Sequence, residues 1–536
     1  MKTKTILILV TVVAFLIRFY LSWQYPPLSW DEAALGYNAY SILKTGRDEH
    51  GQLLPLIFKS FGDYKPGLYV YLAVPFIQLF GLNEISVRLP SIIFGSLTPL
   101  FLYLLITAIS PKQKKLGLIA ALILTFNPFN IHFSKAAWET NVLTFELVLA
   151  TYLFFKRRPC LSAIVFALSL YTYQAGKMIS LLIITVLFVV NLKKISLSSY
   201  FVRFCLPLFI FSIPIFLGLF LNNDSNRLKV VSLFSYPRSQ KDSQVILSES
   251  NFVDYLLFHH PYFYLARQFF VRYFNYFSPR FLINEGDWQN PRHGAPYIGI
   301  ILYPSLLFFI LGIFSKKSFQ KPNLFFLLWL ILAPIPSALT RDLVQSVRSM
   351  SLSVPLVYFI AVGIHRFLIF FQNRRITKYF AYSFLFTGYF ISFLYYSDLY
   401  YQHMVKKSPY DFLYGYKQAV LYVFQNQSRH QQVYFSDYFQ QPYIFYLFYS
   451  QYSPSLYQSQ NKLISQSLDV GRVEKIDNIL FSILPYEAIK TKTGTLTVFS
   501  NEDINQQVIN KTSEFEKNFI PISPINNYST FYAYQN

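Results

Sequence analysis

The chain has 536 residues, of which 53% are hydrophobic and 14% charged, a balance too apolar for a soluble globular protein. Its formal net charge is +21, but the lysines and arginines fall in short clusters between apolar runs, as membrane topology demands, which argues against nucleic acid as a partner. The two cysteines, Cys160 and Cys205, make neither a disulfide framework nor a metal knuckle.

The chain opens with lysines and an apolar stretch and has no small-residue cleavage site, so it reads as a retained first span. Basic clusters follow at Lys112/Lys114/Lys115, Lys156/Arg157/Arg158, Lys193/Lys194, Lys316/Lys317/Lys321 and Arg374/Arg375/Lys378. Placing all of them with Lys2/Lys4 on the cytoplasmic side is a parity constraint on the apolar runs. It is met by spans over 5–23, 87–109, 116–133, 138–155, 160–176, 177–192, 201–221, 297–314, 323–340, 351–371 and 379–397. The segment 66–82 is left to dip into or lie along the outer leaflet; a pair of further spans there would preserve the parity.

The fold class expected is therefore a polytopic α-helical membrane protein of about 11 to 13 transmembrane helices with a small C-terminal extracytoplasmic α/β domain. Residues 1–400 form the transmembrane module, with outer loops 24–86, 134–141, 222–296 and 341–350, and residues 401–536 form the soluble domain. In that tail, 410–425 and 442–449 read as helices and 432–435, 478–483 and 495–499 as strands. No internal repeat marks a transporter of inverted halves.

Polar chemistry concentrates in the outer stretches. Directly after the first span comes Trp30-Asp31-Glu32, an aromatic beside paired acids, which in isolation is also an ordinary solvated loop entrance. Next comes Gly62-Asp63-Tyr64-Lys65-Pro66, where a lysine opens a tyrosine-rich apolar stretch. Such a lysine snorkels to the headgroups or holds a phosphate whose lipid tail follows the apolar surface. Asn83-Glu84 and Arg88-Leu89-Pro90-Ser91 then stand at the mouth of the next span.

The succession WDEAALGYNAYSILKTGRDEHG, FGDYKPGLYVYL and LFGLNEISVRLPS resembles the first extracytoplasmic loop of the GT-C glycosyltransferases. Within them it is most similar to the protein O-mannosyltransferase and aminoarabinose-transferase group. The resemblance is specific over 30–91, continues as overall layout to about residue 398 and is weaker in the tail. It implies a polyprenyl-phosphate sugar donor, an inverting hexosyl or pentosyl transfer, and a catalytic acid in the first outer loop. Asp31 aligns with that acid and Glu32 is its companion.

The chemistry suits the role. A carboxylate takes the proton of an acceptor hydroxyl or amine as it attacks the anomeric carbon, while the lipid phosphate departs from the opposite face. The phosphate is a good leaving group, so one base and a cation for the departing charge suffice.

The turn around Glu139 and Asn141 resembles the family's second acidic motif, which helps form the acceptor or donor cavity. The family often has arginines where this chain has Lys135 and Trp138, and Glu139 is also placed as an N-terminal dipole partner of a helix. The long loop ends in Gly286-Asp287-Trp288-Gln289-Asn290-Pro291-Arg292-His293, a gathering that suits a sugar or phosphate site as well as interfacial anchoring. Arg341, Asp342 and Arg348 lie in a late outer turn; relatives carry a histidine three residues before an arginine there, where this chain has Gln345. Lys65, Tyr64, Arg292 and Arg348 are the candidate donor-phosphate contacts, and Glu139, Asn141 and His293 the candidate acceptor or cavity residues.

The reading is a multi-pass cell-membrane glycosyltransferase with a cytoplasmic N-terminus, its site and tail extracytoplasmic. Its partners are a polyprenyl-phosphate-linked sugar, an extracytoplasmic acceptor (protein, lipid or cell-envelope glycan) and membrane lipid. The alternative is a multi-span lipid or sugar transporter or flippase, which predicts ionisable residues in mid-span. A non-catalytic scaffold leaves the ordered first-loop motifs without a purpose, and a polysaccharide polymerase or ligase is not expected to show them. No cofactor is assigned; Asp31, Glu32 and Glu139 would hold a divalent ion only if folding brought them together.

Overall fold

The computed structural model describes residues 3–191, 199–221, 230–314, 321–373, 375–460, 463–465, 471–482, 485–504, 518–525 and 528–535. Lys2, Lys193, Lys194, Lys316, Lys317 and Arg374 of the basic clusters, residues 222–229 of the long loop and Ile483 of an expected strand lie outside the described residues. By internal contacts the chain divides into two units. One comprises Met1–Tyr20, Ser91–Ser134 and Trp138–Tyr400, the other Leu21–Pro90, Lys135–Ala137 and Tyr401–Asn536. The first outer loop thus shares a unit with the tail.

The first unit is helical. Its elements are α1 (Thr3–Phe19), most of α4 (Glu84–Ile109), α5 (Lys114–Thr125), α6 (Pro128–Lys135), α7 (Glu139–Phe155), α8 (Pro159–Leu170), α9 (Gly176–Asn191) and α10 (Ser199–Leu221). After the long loop, with α11 (Gln240–Glu249) and α12 (Pro261–Asn275), come α13 (Tyr303–Ile313), α14 (Lys321–Leu332), α15 (Ser353–Phe370) and α16 (Arg375–Asp398). Every apolar run expected to span holds a helix.

Length separates these helices. Glu84–Ile109, Tyr200–Gly218 and Ser346–Phe370 are long and apolar enough to cross a bilayer, and α5 with α6 makes a fourth if the bent pair is one span. Helices such as α8, of 12 residues, and α13, of 11, rise about 16–18 Å, short of the roughly 30 Å of a hydrocarbon core.

Local chemistry explains the breaks and close contacts. The chain bends by 55° between α5 and α6, because Pro128 brings no N–H and forces its predecessor out of the helical region. The carbonyls freed there find a donor in α1: Arg18, wholly buried, gives Nη1 to the Thr125 carbonyl at 3.2 Å and Nη2 to that of Leu124 at 3.4 Å. Elsewhere α13 and α15 touch through glycines. A Cβ on Gly312 would come within 1.9 Å of the Phe359 carbonyl oxygen and one on Gly363 within 1.9 Å of that of Phe308, the small-residue contact that lets apolar helices approach.

The second unit begins with α2 (Trp30–Thr45), the hairpin β1 (Ile57–Ser60) and β2 (Asp63–Pro66), and α3 (Leu68–Phe80). α3 occupies the 66–82 segment; its 13 residues rise about 20 Å. The tail adds α17 (Tyr416–Asn426), β3 (Gln432–Phe435), α18 (Pro442–Tyr449), α19 (Pro454–Gln460), β4 (Lys475–Ile476), β5 (Ile479–Phe481), β6 (Thr495–Ser500), β7 (Phe519–Ile525) and β8 (Tyr528–Gln535). These strands form one mixed sheet in the order β4-β5-β3-β6-β8-β7, with β3 parallel to β5 and β6. α17 starts at Tyr416 rather than 410 because Gly415, at φ 101°, turns the chain into it.

α2 docks on the tail within this unit. Gly36 allows it, since a Cβ there would lie 2.6 Å from both the Phe448 ring and Val87. Hydrogen bonds fix the contact: the Tyr37 hydroxyl donates to the Tyr452 carbonyl at 3.1 Å, and the Gln458 amide to the Asp48 carbonyl at 2.9 Å.

Candidate active site

The expected site residues fall in both units, and each group has its own geometry. In the second unit the local sequence Ser29-Trp30-Asp31-Glu32 is a capping box: the Ser29 hydroxyl accepts from the Glu32 N–H at 3.3 Å, and Glu32 Oε2 accepts from the Ser29 N–H at 3.0 Å. The motif therefore starts α2 and sets Asp31 and Glu32 on its first turn, where the helix dipole favours negative charge.

The adjacent acids then diverge. Glu32 turns inward and takes a bidentate pair from Arg88, Nε to Oε1 at 2.7 Å and Nη2 to Oε2 at 2.8 Å, and its Oε1 also accepts from the Ala137 N–H at 2.8 Å. Arg88 spends its remaining arm on the Ser22 and Pro26 carbonyls, at 2.6 and 2.9 Å. Both side chains are buried, so Glu32 acts as a brace joining the first loop, the start of α4 and the 135–137 turn.

Asp31 instead faces Lys65 of the hairpin, with which it forms an ion pair. Both remain partly open, 26% and 19% exposed. The hairpin closes on Phe61-Gly62, both at positive φ, 55° and 101°, the backbone of a tight two-residue turn. Its register pairs Lys65 with Phe58 and Tyr64 with Lys59. Gly67 ends it against the Phe58 ring, which a Cβ would meet at 2.4 Å. Lys65 is thus held on a stiff two-stranded arm.

Sequence reasoning left Glu49 unassigned. It is fully enclosed, its Oε1 accepting from Asn38 at 3.1 Å, and burial above all pushes its carboxyl up to about 8. The phenols of Tyr37, Tyr443 and Tyr457 are pushed up by burial and also by the charge of Glu49. Beside it, burial and the charge of Lys59 press His50 down to about 4. The signal was in the Asp48-Glu49-His50 string, without a periodicity to mark it as buried.

The first unit holds the other expected residues. Asn141 gives its amide to Ser91, to the carbonyl at 2.8 Å and the hydroxyl at 3.0 Å, and accepts from the Ser134 hydroxyl at 3.2 Å; it ties α4, α6 and α7 together. Glu139 is buried at the start of α7. Two turns further, Glu146, hidden in an apolar run, accepts from the Thr172 hydroxyl at 2.7 Å.

Arg292, His293 and Arg348 do gather. His293 gives its Nδ1 proton to Asp287 Oδ2 at 2.8 Å, which also accepts from the Ser346 N–H at 2.8 Å. Asp287 Oδ1 accepts from the Asn290 N–H and side-chain amide at 3.1 and 3.0 Å. Burial pushes the Asp287 carboxyl up, but the His293 bond and charge and the other donors outweigh it and hold it below the ordinary value. Burial lowers His293, helped by the charges of Arg292 and Arg348 and opposed by Asp287. Arg348 reaches Asp342 Oδ2 and the Thr340 hydroxyl, each at 3.0 Å, and the Gln345 amide donates to Asp342 Oδ2 at 3.3 Å.

Among the described residues, no group of three or more histidine, cysteine, aspartate or glutamate side chains is arranged to hold a metal ion. An apolar cavity of about 400 Å³ lies in the first unit, between α5, α13, α15 and α16 and walled by such residues as Leu122, Phe126, Leu385 and Phe393. None of the expected site residues lines it.

Residues 8–190 match the family model of dolichyl-phosphate-mannose-protein mannosyltransferases. No curated protein sequence matches the chain. Among solved structures, the fold is that of ArnT from Cupriavidus metallidurans bound to undecaprenyl phosphate, at 11% identity and a TM-score of 0.53 over 100% of this chain and 98% of that one. The apo state of the same protein aligns at 12% identity and a TM-score of 0.52, covering 98% and 97%. The oligosaccharyltransferase of Archaeoglobus fulgidus in its apo form aligns at 13% identity and a TM-score of 0.50, covering 84% of this chain and 64% of that one.

Proposed function

We propose that this chain, a membrane glycosyltransferase of the GT-C fold, moves a sugar from a polyprenyl-phosphate carrier to an extracytoplasmic acceptor with inversion at the anomeric carbon. The observation that carries the reading is the Asp31–Lys65 pair, partly open at the start of α2. Asp31 is the general base. It takes the proton of an acceptor hydroxyl or amine as that atom bonds to the anomeric carbon. The bond from that carbon to the phosphate oxygen breaks on the opposite face, and its electron pair leaves with the lipid phosphate. Lys65, released from Asp31, meets the growing negative charge, with Tyr64 beside it on β2. The lipid phosphate held by the structural neighbour from Cupriavidus metallidurans supports this donor class.

Glu32 positions rather than reacts, since Arg88, Ser29 and Ala137 engage its oxygens. Arg292 and Arg348, whose charges both act on His293, are further candidates for an anionic group, and Glu139 and Asn141 are the candidate acceptor or cavity residues. The topology proposed has eleven crossings, a cytoplasmic N-terminus, the first loop and the tail outside, and α3 along the outer leaflet. The division into a transmembrane module, 1–400, and a soluble outer domain, 401–536, belongs to the same reading.

Transfer of radiolabelled sugar from a panel of polyprenyl-phosphate donors, in membranes with matched amounts of wild type, Asp31→Asn and Lys65→Ala, tests it. Transfer abolished in Asp31→Asn and weakened in Lys65→Ala is expected. Full activity in Asp31→Asn removes that residue as the base. The transporter alternative draws on Glu146, an acid within a helix, but its bond to Thr172 gives it a local partner and no chain of ionisable groups; uptake of the donor without transfer would revive it.

A further inference from the structure

The loop between α10 and α13 is expected to be a polar outer stretch, yet from 252 to 274 it exposes many large apolar side chains. From 252 to 258, Phe252, Val253, Leu256, Leu257 and Phe258 are all exposed, Phe252 by 79% and Phe258 by 67%. α12 continues the pattern inside out. Tyr262, Phe263, Phe270 and Phe274 point outward, Tyr262 by 76% and Phe274 by 62%. Its protein-facing side carries Arg272, buried, with Nη1 on the Gln268 carbonyl at 2.9 Å and Nη2 on the Arg341 carbonyl at 3.0 Å. A helix whose outward face sets Phe263, Phe270 and Phe274 beside the exposed Arg267, with Arg272 buried, is arranged for the boundary between acyl chains and headgroups rather than for bulk water.

We propose that residues 252–274 lie in the plane of the bilayer, at the boundary of acyl chains and headgroups, and that lipid covers their aromatic face. α12 has 15 residues, about 22 Å of rise, and carries Arg267 and Arg272, so it is too short and too charged to cross. From 252 to 277 the sequence is dense in tyrosine and phenylalanine and holds one acid, Asp254, while Arg267 is exposed, the composition of an interfacial segment beside phosphate headgroups. Arg238, over the Tyr264 ring at 4.9 Å, adds a second cation. The anchor leads into the 286–294 turn and so sets the height of Arg292, His293 and Arg348 at the level of lipid phosphates. It does not depend on sugar transfer.

The test is nitroxide labelling in a Cys160→Ser/Cys205→Ser background, with single cysteines at Tyr262, Phe263 and Phe270 and a control at Lys241 of α11, in vesicles of phosphatidylethanolamine and phosphatidylglycerol. Collisions with oxygen are expected to exceed those with a water-soluble nickel chelate at the three aromatic positions and the order to reverse at the control. Nickel accessibility at 262, 263 and 270 equal to that at 241 puts the face in water and overturns the proposal. Exclusion of both reagents overturns it too, because the face is then covered by protein. Tyr262 is so exposed that its replacement leaves packing unchanged, which keeps one position informative if Phe263→Cys or Phe270→Cys fails to fold.

Discussion

Two carboxylates in this protein, Asp31 and Asp287, each meet a basic partner, and they are built in opposite ways. Asp31 and its Lys65 sit a quarter and a fifth exposed, at a helix start and on a hairpin arm. Asp287 is enclosed, and His293, Ser346 and Asn290 together give its two oxygens four hydrogen bonds. A carboxylate saturated by fixed donors holds a shape, and one that keeps an open side can change partners during a reaction. Glu32, next to Asp31 in sequence, belongs with Asp287 in this respect.

The sharpest way to break the contrast is Asp31→Asn, which keeps shape and removes the proton acceptor. Turnover is expected to fall by about 10²–10⁴-fold with little change in thermal unfolding, read from labelled-sugar transfer and a melting curve on the same preparation. Arg88→Met should do the reverse at comparable size. It leaves Glu32 charged and unpaired in the interior, at a cost of about 3–5 kcal/mol, seen as a lower unfolding midpoint; an unchanged midpoint refutes the brace. Asp287→Asn comes next, with about 1.5–3 kcal/mol lost. If it abolished transfer while leaving the melting curve intact, the chemistry would belong to the His293 corner instead.

The last effect concerns pH. The folded state keeps a proton on Glu49 until about 8, against an ordinary value of 4.5. The unfolded chain releases it earlier, so this contribution to stability is full below about 4.5 and is lost as pH rises towards 8. Glu49→Gln, which retains an acceptor for Asn38, should flatten the decline in unfolding midpoint across that window, and an unaltered slope would assign the decline to other groups.

The helices were legible because long apolar runs separated by basic clusters leave few alternatives, and their ends moved mainly at prolines such as Pro128 and Pro304. The hairpin was not legible. Its strands are four residues each, and Phe61, a poor residue for positive φ, disguises the turn. The candidate site was read from Trp30-Asp31-Glu32 and Tyr64-Lys65, but the division of labour between the two acids depends on Arg88, 56 positions away from Glu32, and no local pattern encodes that pairing. Glu146 was hidden for the opposite reason: one acid barely dents the hydropathy of the helix around it.

Arg18 carries a consequence for how the chain is made. It leaves the ribosome in the first apolar segment, while the carbonyls of Leu124 and Thr125 that receive its guanidinium are synthesised more than a hundred residues later. Until then the nascent segment carries, in the last turn of α1, a cation whose partner within its own helix is the Ala14 carbonyl at 3.1 Å. α1 therefore completes its seating only after the end of α5 has been made, and Arg18→Leu should insert more readily as an isolated first segment while assembling less well as a whole protein.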